Sequence, residues 1–143
     1  MTGPFELERF ARAQDEGGVY EIATRELREG AKRSHWMWFV FPQIAGLGHS
    51  STSKAYAIRT LAEASAYLQH PVLGPRLIEC ARILLALDGT GAKEIFGDID
   101  ALKLRSSMTL FARAAPEDPV FEHVLAKYFD GVPDARTEVI LDA

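Results

Sequence analysis

The chain has 143 residues, 48% of them hydrophobic, 25% charged and 10% aromatic, with a formal net charge of −4. That balance fits one domain spanning residues 1–143 with a core of its own, and it excludes a generally basic nucleic-acid binder. The single Cys80 excludes a disulfide framework and multi-cysteine metal sites, and no apolar run approaches the roughly 20 residues of a membrane span.

Helical periodicity runs through almost the whole chain. Pro4 suits the first turn of a helix carrying Phe5, Leu7 and Phe10, which closes near Gly17–Gly18. A second helix, about Val19 to Glu29, places Val19, Ile22, Ala23 and Leu27 on one stripe and stops at Gly30. Trp36 to Phe41 is the one serious strand candidate. A third helix is expected from about Thr52 to Gln69, with N-caps on offer from Ser51, Thr52 and Ser53 and a break near Thr60. His70-Pro71 ends it. The next helix starts between Pro71 and Arg76, buries Leu73, Leu77, Ala81, Leu84 and Leu85, and ends at Gly89. A turn around Ala92–Phe96 precedes a helix capped by Asp98, about Ile99 to Ala114. Asp118-Pro119 opens a helix with Phe121, Leu125 and Tyr128 on one face, closed by Gly131, and Thr137–Leu141 supplies a last turn. The expected fold is all-α: six or seven helices, with a long aromatic and glycine-rich loop between the second and third.

The net charge conceals a pattern. Residues 1–29 carry seven acids and four bases, and residues 63–143 carry thirteen acids and eight bases. Between them, Gly30 to Ala62 holds Lys32, Arg33, Lys54 and Arg59 and no acid. An acid-free cationic stretch is what a surface built for a negative ligand would look like, and equally what a buried or looped stretch would look like.

Three constellations carry possible chemistry. Lys32, Arg33, Ser34, His35, Trp36 and Trp38, followed by Gln43, combine cations that neutralise phosphate or carboxylate with indoles that offer a stacking face. In so hydrophobic a run the aromatics are read first as core anchors, with at least one of them as the alternative pocket wall. Gly46, Gly48, His49 and Ser51 form a glycine–hydroxyl turn whose backbone N–H groups suit an anion, without the spacing of a phosphate-binding loop. Lys103, Ser106 and Ser107 stand one helical turn apart, so a Ser–Lys pair or a polar pocket wall is possible there. The four histidines lack metal-ligand spacing, so no metal is expected, and Cys80 sits among apolar residues as a small core side chain.

Taken together, the blocks KRSHWMWFVFPQ (32–43) and KLRSSMTLF (103–111) resemble the family termed domain of unknown function 1810. Gly46-Leu47-Gly48, His70-Pro71-Val72-Leu73-Gly74, Ile95-Phe96-Gly97 and Phe129-Asp130-Gly131 match it as well. The resemblance covers nearly the whole chain. It implies a bacterial, helical, single-domain protein without an established activity or cofactor. Some members of that family carry a calpastatin label, which suits a disordered inhibitor repeat and not one helical core.

Two functional readings stay open. The first is a pocket for a phosphorylated small molecule or nucleotide, extended to hydrolase or transferase chemistry. In it Lys32, Arg33 and the Gly48–Ser51 turn hold the anion, Trp36 or Trp38 stacks on a ring, and Lys103, Ser106 and Ser107 complete the wall. The second is a non-catalytic module that docks a protein partner. Neither involves a membrane or long nucleic acid, since the acidic flanks oppose a long strand. With no apolar signal core in Met1–Gln14 and one cysteine, a cytoplasmic location is the expectation.

Overall fold

The computed structural model describes residues 5–143, so the expectation for Pro4 lies outside the described residues. Helix α1 (Glu8–Asp15) buries Phe10, Ala11 and Gln14, and a short 3-10 turn leads from it into α2 (Val19–Glu29). α2 stops where Gly30 turns left-handed at φ 71°, its N–H donating to the carbonyls of Glu26 and Leu27.

Trp36–Phe41 is not a strand. Met37–Val40 forms the single turn α3, with Trp36 and Phe41 buried on either side of it. The run of aromatics fits a strand, but the described residues offer it no neighbouring strand; the sheet contact nearby is an isolated parallel bridge between Ile44 and Ile58. A helical turn satisfies the buried backbone without one: Val40 N donates to Trp36 O at 3.1 Å and Phe41 N to Met37 O at 3.0 Å.

The third helix is broken at the expected place, with Thr60 capping its second part, into α4 (Ser51–Ala55) and α5 (Leu61–Gln69). Each begins on a hydroxyl cap. Ser50 Oγ, one residue earlier than expected, accepts from Ser53 N at 3.1 Å, and Thr60 Oγ1 accepts from Glu63 N at 3.0 Å. Then come α6 (Leu73–Ala86), α7 (Ala92–Ala114), α8 (Val120–Phe129) and α9 (Ala135–Asp142). The described residues therefore hold nine α-helical segments in place of six or seven, because the third helix is divided in two and α3 replaces extended chain. The expected turn around Ala92–Phe96 is helical and joins α7. Gly97, whose φ of 79° and ψ of 170° lie in a region essentially reserved for glycine, interrupts the helix just before Asp98, close to the expected start of the stretch from Ile99 to Ala114.

α7 is the axis of the fold and packs against α5, α8 and α9. Ser106 through Phe111 are buried one after another, so this half of the helix is enclosed on all sides. That enclosure explains its hydroxyls. Ser106 Oγ lies 2.8 Å from Thr137 Oγ1, and Thr109 Oγ1 accepts from Asp134 N at 2.9 Å, so two of them fasten α9 to α7.

Candidate functional site

The distinctive 32–43 block folds around a residue that lies outside it. Glu26, in the last turn of α2, is 5% exposed. Its Oε1 accepts from Arg33 N at 2.8 Å, Ser34 N at 3.0 Å and Trp36 Nε1 at 2.9 Å, and its Oε2 accepts from Ser34 Oγ at 2.6 Å. Burial alone would raise its pKa. The four hydrogen bonds, led by that from Ser34, overcome burial and hold the carboxyl at about 2.

The cations of the block also have internal partners. Lys32 Nζ sits 2.8 Å from Asp100 Oδ2, donates to Ser34 O at 2.6 Å and lies 5.1 Å from the Trp36 ring centroid; its side chain is 7% exposed. Exposed Arg33 pairs with Glu29 at 2.6 Å. Within the acid-free stretch Lys32 and Arg33 therefore meet their acids across space, from the elements that flank it. Lys32, Ser34 and Trp36 pack together around Glu26 and Asp100, Arg33 is exposed beside Glu29, and none of the four lines the cavities.

The opening lies on the other side of α3. Trp38, half-buried, borders two cavities together with Gln43, Leu47 and Gly48. The smaller, of about 110 Å³, extends towards Ser53, Lys54, Tyr56 and Arg59. The larger, of about 330 Å³, extends towards Ile99, Leu102, Lys103 and Ser106 of α7 and Asp134 and Arg136 at the start of α9. Lys103 Nζ lies 4.3 Å from the Trp38 ring centroid and 3.1 Å from Asp100 Oδ1. Asp100 thus sits between two ammonium groups. Burial pushes its pKa up, and the hydrogen bonds and charges of Lys32 and Lys103 bring it below the usual carboxylate value. Lys54, Arg59 and Arg136 form no ion pair among the described residues.

Gln43 stands where the two cavities meet. It is 6% exposed, and its Nε2 has no hydrogen-bond partner among the described residues. Its backbone is fixed, since its carbonyl accepts from Ile58 N at 2.8 Å and Ala45 N donates to Ile58 O at 2.7 Å.

Of the residues expected at the site, Trp38, Gln43, Gly48, Lys103 and Ser106 converge on this cleft. His35, His49 and Ser51 are exposed outside it, and Ser107 is fully buried in α7 with its Oγ unpartnered among the described residues. No Ser–Lys hydrogen bond forms among the described residues: Ser106 is bonded to Thr137, Lys103 to Asp100, and Ser107 Oγ has no partner. The sequence reading missed Glu26 and Arg136. Glu26 had a signal: an acid in the last turn of a helix opposes the helix dipole and so implies a partner elsewhere. Arg136 had a weaker one, the Asp134-x-x-Thr137 cap that sets it in the first turn of α9.

Gly48 keeps the cleft open. A Cβ there would stand 2.7 Å from Ser53 Cβ and Oγ and 3.5 Å from Trp38 Cη2. Ser53 cannot retreat, because its Oγ donates to Ser50 O at 2.8 Å while its N–H completes the α4 cap. Gly48→Ala is expected to cost about 1–3 kcal/mol by overpacking and to displace the 46–49 turn, read as a lower Tm and altered tryptophan fluorescence.

Comparison with known proteins bears on the family and the fold. The family described as "Protein of unknown function (DUF1810)" matches residues 4–141. The crystal structure of the conserved hypothetical protein Rv1873 from Mycobacterium tuberculosis is similar at 52% sequence identity, with a TM-score of 0.95 over 99% of each chain. No curated protein matches.

Proposed function

The chain belongs to the DUF1810 family of proteins of unknown function, and from its cleft we propose that it binds a small phosphorylated or nucleotide-like ligand. The observation that carries this reading is Gln43: a buried amide with an unpartnered donor, fixed by its backbone, at the junction of two cavities. Buried polar groups are nearly always paired, by protein, water or ligand, and a fixed exception that lines a cleft is placed to be paired by a bound molecule. The cleft's charge supports an anion. Lys103 and Arg136 flank the larger cavity and Lys54 and Arg59 the smaller. Against them stand two carboxylates: Asp134, one oxygen of which is engaged in capping α9, and Asp100, which is shared between Lys103 and Lys32. Ser106 and Lys103 are each committed to other partners, so the geometry favours binding over the hydrolase or transferase extension.

Thermal-shift and calorimetric titration with inorganic phosphate, ribose 5-phosphate and nucleoside monophosphates tests this reading. At least one of them is expected to bind, and Lys103→Ala with Arg136→Ala to weaken it about tenfold or more, the scale of a lost hydrogen bond to a charged group. Absence of binding by all of them, or binding indifferent to both substitutions, would overturn it.

A second reading, a protein-docking module, is favoured by a separate observation. Ile99, Leu102 and Val139 are 72%, 59% and 70% exposed, and they line the larger cavity or its neighbour beside Arg136. That reading requires association through this rim, so sedimentation should show a size that grows with concentration and reverts in Leu102→Ser.

A further inference from the structure

We infer that the ligand carries a planar nitrogen heterocycle, as a free nucleoside monophosphate does, and that Gln43 selects it by its ring edge; this rests on the anion-cleft reading above. Three features of the cleft meet only in such a molecule. Trp38 borders both cavities, and with Lys103 Nζ over one face of its indole a flat ring would stack on the other. Gln43 Nε2, buried and unpartnered among the described residues, needs an acceptor brought to it, because the hydrogen bond between its carbonyl and Ile58 N holds the backbone in place. An amide presents a donor beside an acceptor, and the edge of a nucleobase presents the same pair in reverse within the ring plane.

The third feature is the closeness of charge to ring. Lys103 Nζ is 4.3 Å from the Trp38 centroid, and Arg136 borders the same cavity, so an anion held there lies beside the stacked ring. Inorganic phosphate would answer the cations and leave Trp38 and Gln43 unused. A sugar phosphate would answer the cations and offer Gln43 hydroxyls, without a flat face for the indole. The larger cavity, at about 330 Å³, falls at the lower end of small-molecule sites, which favours one nucleotide over a strand.

Calorimetric titration of the full chain with AMP, GMP, CMP, UMP, ribose 5-phosphate and a single-stranded tetranucleotide tests the inference. At least one mononucleotide should bind about tenfold or more tightly than ribose 5-phosphate, within the discrimination a bidentate amide–base pair supplies. Gln43→Met and Gln43→Glu should each reduce that preference to about threefold or less, whatever they do to the affinity for ribose 5-phosphate itself. The two variants alter polarity at near-constant size, and an unchanged circular dichroism spectrum in either one makes its result count. If ribose 5-phosphate binds as tightly as every nucleotide, or both variants retain the preference, edge selection by Gln43 is overturned and the anion cleft stands. Tighter binding of the tetranucleotide than of any mononucleotide overturns the free nucleotide in favour of a strand end. Binding by none of the probes overturns the anion cleft itself.

Discussion

Glu26→Ala is expected to destabilise the fold by roughly 3–6 kcal/mol and to lower Tm by about 10–20 °C in calorimetry. The carboxylate accepts from two backbone N–H groups, an indole N–H and a hydroxyl. Removing it leaves those donors in a site 5% exposed, where each unpaired group costs about 1–3 kcal/mol. A loss of that size is a large part of the 5–15 kcal/mol that holds an ordinary domain together. Glu26→Gln keeps the shape and one carbonyl acceptor, so it should cost less, and it separates shape from charge. The carboxyl is at about 2 in the folded chain against an ordinary value of 4.5, so the unfolded chain binds the proton more readily. The sign follows: the stabilisation is complete above about pH 4.5 and is lost as pH falls towards about 2, amounting to about 3 kcal/mol. Denaturation across this window should show that acid slope in the wild type and a shallower one in Glu26→Gln. Equal slopes would place the charge elsewhere.

The residue that organises the 32–43 block could not be read from the block itself. Local signals were enough for α2, where Gly30 supplies the stop that a left-handed residue gives any helix. They were enough for the all-α class too, since apolar spacing and caps are local properties. They failed where a tertiary partner decides. Trp36–Phe41 has the composition of a strand and becomes a turn of helix because the described chain offers it no neighbouring strand. The cationic stretch was legible as a pattern, and the identity of its anions was not. Glu29 and Asp100 reach Arg33 and Lys32 from the preceding and following parts of the chain, a relation that only folding creates. The site divided along the same line. Trp38, Gln43, Gly48 and Lys103 stood out as unusual residue types in apolar settings. Arg136 did not, because its place in the cleft depends on α9 docking through Ser106, Thr109 and Asp134.

Asp100→Asn is expected to move stability and ligand affinity in opposite directions. Asp100 is shared: Oδ2 lies 2.8 Å from Lys32 and Oδ1 3.1 Å from Lys103. The two lysines are not equivalent. Lys32 is 7% exposed at its side chain and depends on Asp100 for compensation, whereas Lys103 is 23% exposed and also rests on Trp38 at the cavity wall. Neutralising Asp100 therefore leaves a buried ammonium short of its counter-charge, a loss that reaches 3–5 kcal/mol for fully buried pairs and is put at about 2–3 kcal/mol here because Asp100 itself touches solvent. The same change removes the internal carboxylate that competes with any incoming anion for Lys103. Affinity for phosphate or a nucleoside monophosphate should then rise about three- to tenfold, while Tm falls. A substitution that merely loosened the cleft would lower both quantities, so the opposed signs are the diagnostic. The acid side supplies a second check. Lys32 and Lys103 hold Asp100 below the usual carboxylate range in the folded chain, so its stabilisation is present above that range and is lost as pH falls through the lowered value. The Asn variant should be missing that part of the acid slope. Weaker anion binding together with lower stability would show instead that Asp100 holds Lys103 in its binding position, and the competition would be excluded.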